Sequence, residues 1–596
     1  MALSLIREDM KNLRSIRSVY QDWFDANKIN EQLNYHWNDD NKLNKDKIFL
    51  DRLIEKKFNT YQKKLNKFHN VNLSKKQWRI IIFPWLNIVI HLLFDRWESL
   101  KKEQNYKKHN VKSFYVLDET KDFKTNSFHL NKFLIDRILE FQKKKNIQLS
   151  KLRLIENKKN LIKNSNNLYY FLNFLLSFFF KSKIFIKNIG LSFKKSLILN
   201  FIVNKSPVVW LEPNYKNKSY SLQKRLELIK IKNDSKNFES FLDNFLYILF
   251  PKSYLENFDN IKNSVIKSYW PKKPKKIITA YEYKNNDIFK IWTALKISLG
   301  SRYLILQHGG NMGTARYNIE EDYQVSIADE FLSWGWTDKR KKVKRFFAIN
   351  LAFKTINRNP RTNNEILFCA QRYPGLPYRV SSLPKTNQDR LKKIEEIKDF
   401  VNLMDENLKK NLTLRYLKNQ DSHYSKFDTT IFENKGIKID TGQKSFLSSI
   451  ANTKIIIHQA NSTGFLETLF FNIPTILILN KKIERQRKTA DYYFKQLQSR
   501  LLGNRMPWFY NEHILDQHIG KNTKFQFIHT FYDIRPECNG ETDCYSLIRN
   551  PLNMICQKLK VTKLYRIKAN LRSKSFFLQK TKTLALILII FVEIVV

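Results

Sequence analysis

The distribution of glycine and proline constrains the fold of this chain more than any other feature. None of its 13 glycines precedes Gly190, and Pro84 is the only proline before Pro207. Both residue types interrupt helices, so their scarcity predicts long helices over roughly the first 200 residues. Within this stretch the segment Trp78–Trp97 is apolar on nearly every side, which indicates a helix buried among other elements.

After Pro207 short apolar runs alternate with amphipathic segments, a rhythm typical of βαβ units and a parallel sheet. The clearest unit has a strand at Lys276–Ala280 and an Asn-capped helix at Ile288–Leu299, which Gly300 ends. The next strand is predicted at Arg302–Gln307. This part of the chain is therefore expected to form a doubly wound α/β domain.

A second series of alternating elements follows. Strands are predicted at Ile366–Ala370 and Leu412–Tyr416, with a helix near Arg390–Met404 between them. The segment Lys454–Asn480 has the pattern of a strand, a polar turn, a short helix and another strand. The predicted fold class is therefore α/β and GT-B-like, with two Rossmann-type domains facing a cleft and a helical N-terminal elaboration.

The length of 596 residues exceeds what one compact core supports, so several domains are expected. The predicted divisions are a helical N-terminal region at 1–206, a Rossmann-like domain at 207–345 completed by N-terminal elements, a linker at 346–364, a second Rossmann-like domain at 365–540, and a basic C-terminal tail with an apolar end at 541–596.

The net charge of +51 would ordinarily direct attention to nucleic acid or anionic membranes. Lysine, however, is over-used along the whole chain together with Asn, Ile and Phe, which indicates solvated lysine faces. A nucleic-acid partner is therefore not expected, although some attraction to anionic ligands is. The four cysteines show no metal-ligand spacing, so neither a disulfide framework nor a structural metal is predicted, and a reducing compartment fits best.

Two apolar runs, Leu168–Phe180 and Leu584–Val596, have about 13 residues each, against about 20 needed to span a bilayer. The first is predicted to be a buried helix. The second follows a basic segment and either rests on an anionic membrane surface or forms a frayed end or buried strand. Charges at Arg7–Asp9 interrupt any signal-peptide core. A cytoplasmic location is expected, with peripheral association at the inner face of the cytoplasmic membrane as an option.

A glycine-rich loop, Gln307–Gly313 (QHGGNMG), follows the strand at Arg302–Gln307 directly. Open α/β sheets bind ligands at the carboxyl ends of their strands. His308 on this loop is the candidate general base, because an imidazole near its intrinsic pKa accepts a proton at neutral pH. The alternative for His308 is a buried structural role.

The polar turn in the second α/β segment places Ser462 and Thr463 at a helix start, where hydroxyls and free amides can bind a pyrophosphate. Ordinary helix capping is the alternative. Glu467, one helical turn further on, is a candidate to accept hydrogen bonds from ribose hydroxyls. Arg415, at the end of a neighbouring strand, could stabilise a leaving phosphate or form a surface ion pair.

The chain lacks the P-loop, GxGxxG, HExxH and GxSxG motifs, so the protein classes that carry them have no support. No two aspartates have the D-x-D spacing of a metal clamp for a sugar nucleotide. No metal and no cofactor are therefore expected, and transfer chemistry would rely on donors of the protein itself.

The loop Gln307–Gly313 with Ile327–Trp336 (IADEFLSWGW), followed by Ser-Thr-x-x-x-Glu at Ser462–Glu467, resembles a family of transferases from bacterial surface-polysaccharide gene clusters. That family is similar to the CDP-glycerol glycerophosphotransferases and capsule polysaccharide transferases of the GT-B fold. The resemblance covers residues 280–480 well. It extends to the N-terminal third loosely, through Trp78, Pro84, Trp85 and Trp97.

The resemblance implies a role for each matching residue, with His308 as the base. The implied acceptor loop comprises Gln307, Gly309, Gly310, Asn311 and Gly313. The implied donor site comprises Arg415, His458, Asn461, Ser462, Thr463, Gly464 and Glu467. Glycerophosphotransferases carry a tryptophan before the His-Gly pair and an Asp-Tyr-Ser-Ser turn, whereas this chain has Gln307 and Asn-Ser-Thr-Gly, which leaves the donor open.

The activity implied is metal-independent transfer of a glycosyl or glycerophosphoryl group from a nucleotide-activated donor to a hydroxyl of a surface-polysaccharide or lipid-linked acceptor. Two alternatives remain. The first is a non-catalytic binding protein for an anionic polymer or nucleic acid, which would lose affinity steeply with salt. The second is a nucleotide-sugar epimerase, which would act without an acceptor.

Overall fold

A computed structural model describes the part of the chain in which the predicted motifs lie. The described residues are 35–102, 111–144, 153–156, 167–179, 182–204, 208–228, 235–352, 354, 356, 365–371, 378–382, 387–416, 432–433, 436–471, 473–480, 484–491, 494 and 527–529. The predicted tail at 541–596, with its apolar run, lies outside them, as do most of the predicted linker and the cysteines at 538, 544 and 556.

Helices dominate the N-terminal part and alternate with strands thereafter. The α-helices in chain order are α1 (Asp40–Phe68), α2 (Lys75–Lys102), α3 (Phe128–Lys144), α4 (Asn167–Phe179), α5 (Phe193–Asn204), α6 (Leu222–Leu226), α7 (Phe238–Leu249), α8 (Phe258–Lys267), α9 (Glu282–Asn285), α10 (Asp287–Ile297), α11 (Ile319–Ile327), α12 (Ile349–Ala352), α13 (Asn387–Leu403), α14 (Glu406–Lys409), α15 (Phe446–Ile450) and α16 (Thr463–Phe470). Short 3₁₀ helices lie at Thr120–Asp122 and Lys252–Tyr254.

The strands are short and almost all parallel. In chain order they are β1 (Ser113–Tyr115), β2 (Arg153–Ile155), β3 (Ile184–Ile186), β4 (Lys276–Thr279), β5 (Arg302–Leu306), β6 (Glu330–Trp334), β7 (Val343–Phe346), β8 (Ile366–Cys369), β9 (Leu412–Arg415), β10 (Lys438–Asp440), β11 (Ile455–His458), β12 (Thr475–Ile478) and β13 (Phe527–His529).

The predicted long helix around Trp78–Trp97 is confirmed as α2, which is the central helix of the N-terminal part. It packs against α1, α3, α10 and α11, so it joins the N-terminal helices to the first sheet. By length and composition α2 could cross a membrane, but 94% of its apolar window is buried inside the fold. Its apolar character is therefore explained by burial among helices, as the sequence predicted.

The first sheet has five parallel strands in the order β3-β4-β5-β6-β7. The predicted strands at Lys276–Ala280 and Arg302–Gln307 are confirmed as β4 and β5, and the helix between them as α10. Asn286 caps α10 by accepting a hydrogen bond from the amide of Phe289 at 2.9 Å. The edge strand β3 comes from the chain before residue 207.

The second sheet has the order β10-β9-β8-β11-β12-β13, parallel except for the antiparallel pair β12 and β13. The predicted strands at Ile366–Ala370 and Leu412–Tyr416 are confirmed as β8 and β9. The segment Lys454–Asn480 forms β11, α16 and β12, as its pattern predicted. A separate parallel pair is formed by β1 and β2. The protein is thus a mixed α/β protein whose two larger sheets are parallel or mainly parallel.

The predicted burial of the apolar run Leu168–Phe180 is wrong, although the helix itself forms as α4. Asn173 is the one buried side chain among those described in α4, and its Oδ1 accepts a hydrogen bond from the amide of Val209 at 2.6 Å. Tyr170 and Leu176 pack against the core. One narrow face therefore attaches the helix, whereas the described side chains of Phe171, Leu172, Phe174, Leu175, Phe178 and Phe179 are exposed.

Candidate functional site

The glycine-rich loop after β5 and the polar turn before α16 touch each other, although about 150 residues separate them in the chain. The amide of Gly310 donates a hydrogen bond to Thr463 Oγ1 at 3.1 Å. A Cβ atom on Gly310 would lie 2.6 Å from the backbone of Ser462 and Thr463, closer than atoms can approach. This contact therefore requires glycine at position 310.

Further hydrogen bonds beside this contact join residues that follow β5 of the first sheet to residues that follow β11 and β12 of the second sheet. Asn461 Nδ2 donates to Thr314 Oγ1 at 2.8 Å. The amide of Arg487 donates to the carbonyl of Thr314 at 2.8 Å, and the amide of Arg316 donates to the carbonyl of Arg485 at 2.9 Å. The contact between the loop and the turn is therefore reinforced by a side-chain hydrogen bond from Asn461 and by backbone hydrogen bonds between residues 314–316 and 485–487.

Gln307 connects the glycine-rich loop to the Ser-Trp-Gly-Trp segment. Its Oε1 accepts hydrogen bonds from the amide of Trp334 at 2.8 Å and from Trp336 Nε1 at 2.7 Å. Its Nε2 donates to the carbonyl of Gly309 at 2.7 Å. Gly313 has a φ of +83°, and a Cβ there would lie 2.5 Å from the Trp336 ring. The two sequence motifs thus form one structural unit.

Glu321 is a buried carboxylate that was not predicted from the sequence and that fixes the far end of this loop. Its Oε2 accepts a hydrogen bond from the amide of Gly313 at 2.7 Å. Its Oε1 accepts one from Arg487 Nη2 at 2.7 Å and is also paired with Arg340. Arg487 follows β12 of the second sheet. Glu321 therefore fixes the position of the glycine-rich loop relative to that part of the chain.

His308 lies on the loop with its ring against two tyrosines. The ring centroids are 5.1 Å from Tyr281 and 6.1 Å from Tyr283. The Nδ1 atom is buried and has no hydrogen-bond partner among the described residues. The side chain as a whole is half-buried. Because Nδ1 is buried, a ligand could reach the ring only at the other nitrogen, Nε2.

Burial and a charged cluster next to His308 together set its protonation. Burial lowers the pKa of His308 below 6.5, the Glu320 carboxylate opposes this shift, and the Lys284 and Arg379 charges add to it. Burial alone would raise the pKa of Glu320, but Arg379 and Lys284, the latter 2.7 Å away, hold it well below its usual range. His308 is therefore neutral at pH 7, the form that a general base needs.

The polar turn at the start of α16 packs against Gly310 of the glycine-rich loop. Ser462 is the N-cap, but its Oγ lies 3.5 Å from the amide of Phe465, the outer limit for a hydrogen bond. Thr463 Oγ1 already accepts from Gly310. Amides at a helix start attract negative charge, and this start faces the loop that carries His308.

His458 lies beneath this turn at the end of β11. Burial lowers its pKa to about 3. Its Nε2 is 3.3 Å from Thr468 Oγ1, and its ring contacts those of Phe446 and Phe465. A Cβ on Gly464 would lie 3.3 Å from the His458 ring. These contacts give His458 a packing role that supports the turn, and its predicted donor contact stays a prediction.

Arg415 and Glu467 each have a partner within the protein. Arg415, buried at the end of β9, is paired with Asp440 and donates to Ser449 Oγ at 2.7 Å. Glu467 forms an ion pair with Lys354 at 2.5 Å. Any contact of either side chain with a donor would compete with these pairs, so their predicted roles stay predictions.

Some of the residues around His308 that were not predicted could have been found from the order of the strands. Tyr281–Lys284 follow the carboxyl end of β4, the neighbour of β5, and parallel strands bring such segments together. No sequence pattern indicates Glu320 and Arg379, because their contacts around Lys284 depend on how α11 and residues 378–382 pack.

The fold and the site define an α/β protein whose candidate ligand site lies at the carboxyl ends of two parallel sheets. Residues 18–500, most of the chain, match the family described as LIC12162 family transferase, and the chain belongs to this family. The protein is therefore a transferase. No curated protein matches the chain.

Proposed function

We propose that the protein transfers a glycosyl or glycerophosphoryl group from a nucleotide-activated donor to a hydroxyl of a surface-polysaccharide or lipid-linked acceptor. The observation that carries this proposal is the contact between Gly310 and Thr463, which puts the His308 loop against the hydroxyl-bearing helix start. A single displacement at a nucleotide donor requires a base near the acceptor hydroxyl and hydrogen-bond donors near the leaving phosphate, and the proposal assigns these roles to the two loops.

In the proposed reaction His308 accepts the proton of the acceptor hydroxyl, and the oxygen attacks the activated carbon or phosphorus of the donor. The bond to the nucleotide phosphate breaks, and the amides at the start of α16 stabilise the charge on the leaving group. The proposal is metal-independent. In the described part of the chain no three His, Cys, Asp or Glu side chains converge as metal ligands would. Action in the cytoplasm, or peripherally at its membrane, belongs to the same proposal.

The pH dependence of activity tests His308 as the base. Because the pKa of His308 lies below 6.5 and the neutral ring is the active form, kcat/KM should stay high at pH 6.5 and fall as the pH drops through the His308 pKa. Glu320 raises that pKa, so Glu320→Gln should move the fall in rate to still lower pH.

Glu330→Gln is the matched control for this pH profile, since Glu330 pairs with Arg302 at the start of the same sheet and should leave the profile unchanged. An activity that already falls above pH 6.5, or a profile that Glu320→Gln moves toward higher pH, would contradict the assignment.

The donor is identified by measuring thermal stabilisation with CDP-, CMP-, UDP- and GDP-linked compounds. A ligand at about 100 times its dissociation constant adds about 2.7 kcal/mol to the free energy of unfolding, which raises Tm measurably. We expect one nucleotide class to stabilise the protein well above the others. Stabilisation by anionic polymers alone, lost steeply as salt is added, would indicate a binding protein instead.

A further inference from the structure

The outward side of α4 is an exposed apolar surface. Its 13 residues contain no charged side chain. Phe178 is 64% exposed and Phe179 is 81% exposed. The other exposed large side chains of this helix are Phe171, Leu172, Phe174 and Leu175. Six neighbouring apolar side chains exposed to solvent form a contiguous patch of the kind that marks an interaction surface.

Helix α5 carries a similar set of exposed side chains on the other face of the first sheet. Leu199 of α5 shares an apolar cluster with Ile184 of the edge strand β3, whereas Phe185 of β3 packs on the opposite face against Trp210. Tyr170 of α4 reaches that opposite face through Tyr269. The exposed side chains of α5 are Phe193, Ile198 and Phe201. The two helices thus flank one edge of the sheet.

The charge of the surrounding segment indicates what this surface meets. Residues 157–211 contain nine lysines and not one Asp, Glu or Arg. Lys183 and Lys194, next to α4 and α5, are exposed. Aromatic and aliphatic side chains combined with exposed lysines are complementary to an anionic lipid surface, in which the apolar groups insert below the phosphates and the ammonium groups stay among them.

We infer that the exposed faces of α4 and α5 dock the protein on an anionic membrane surface. Helix α4, with 13 residues, is too short to span a bilayer, so it lies in the interface as an apolar, lysine-flanked helix. Asn204 of α5 satisfies the outward backbone groups of the edge strand between the helices at Ile184. The Asn204 side chain accepts from the Ile184 amide at 3.0 Å and donates to its carbonyl at 2.8 Å. The inference does not depend on the proposed transfer reaction.

The test is sedimentation of the full chain with vesicles of equal parts phosphatidylglycerol and phosphatidylcholine, compared with vesicles of phosphatidylcholine alone. We expect binding to the anionic vesicles, weakened by salt. The double variant Phe178→Glu/Phe179→Glu should lose on the order of tenfold or more in partitioning. The matched control Ile48→Glu/Leu299→Glu adds the same charge at side chains 53% and 54% exposed and should bind as the parent does.

Four outcomes would overturn the inference. The first is equal binding to neutral vesicles, and the second is an equal loss of binding in the two double variants. The third is a dimer that forms without lipid and that Phe178→Glu/Phe179→Glu dissociates. The fourth is binding that Phe178→Glu/Phe179→Glu retains but that Leu586→Glu/Ile590→Glu, in the C-terminal run, abolishes. An unchanged Tm verifies that the double variant is folded. Because the measurement uses no donor, failure of the proposed transfer reaction would leave this result unaffected.

Discussion

Replacing His308 with alanine should lower turnover about a hundredfold or more, because loss of a general base typically costs that much. The ring lies against Tyr281 and Tyr283, and its neutral form predominates at pH 7. The proposed anion site belongs to the other loop, so donor affinity should change little. Steady-state rates and thermal stabilisation by the donor measure the two quantities separately.

Tyr281→Phe is the matched control for this experiment, because it keeps a ring of the same size against His308 and removes one hydroxyl. Its turnover should stay within a few-fold of the parent. If His308→Ala weakened donor binding and turnover equally, the histidine would be a binding residue and the proposed base would be refuted.

Replacing Gly310 with alanine is the second substitution with a large expected effect. The new Cβ would lie 2.6 Å from the backbone of Ser462 and Thr463, and neither backbone can move aside as a flexible side chain can. Overpacking of this kind costs about 1–3 kcal/mol of stability. A displacement of about 1 Å between the two loops would also lower kcat/KM about a hundredfold.

Gly309→Ala is the control for the steric effect, since a Cβ there would meet nothing nearer than Asn311 Oδ1 at 3.8 Å. Melting curves should show a lower Tm for Gly310→Ala and an unchanged Tm for Gly309→Ala. Equal Tm values for the parent and both variants would show that the two loops do not touch in solution.

The secondary structure of both α/β segments followed from local patterns in the sequence. The strands β4, β5, β8 and β9 and the helices α10, α13 and α16 lie where apolar periodicity, capping residues and glycine placed them, within a few residues. Such patterns are readable because they depend on neighbours in the chain. The exposure of α4 could not be predicted, because the sequence of a helix that is apolar all round does not show how many of its faces other elements cover.

The site shows the same division. That His308 follows a strand, and that Ser462 starts a helix, could be predicted because each feature is complete within a few residues. The cluster of Glu320, Lys284 and Arg379 could not, because its members come from three separate segments. Arg379 and Lys284 are what keep Glu320 charged, so the protonation of His308 depends on packing.

The sequence by itself determined the helical N-terminal part, the two α/β segments and the identity of the loops that carry the candidate chemistry. Only the tertiary structure decided that Gly310 and Thr463 meet, that Gln307 ties its loop to Trp336, and that one side of α4 faces solvent. The physical reason is that periodicity and capping act over a few residues. Contacts between distant segments depend instead on how the sheets and helices pack.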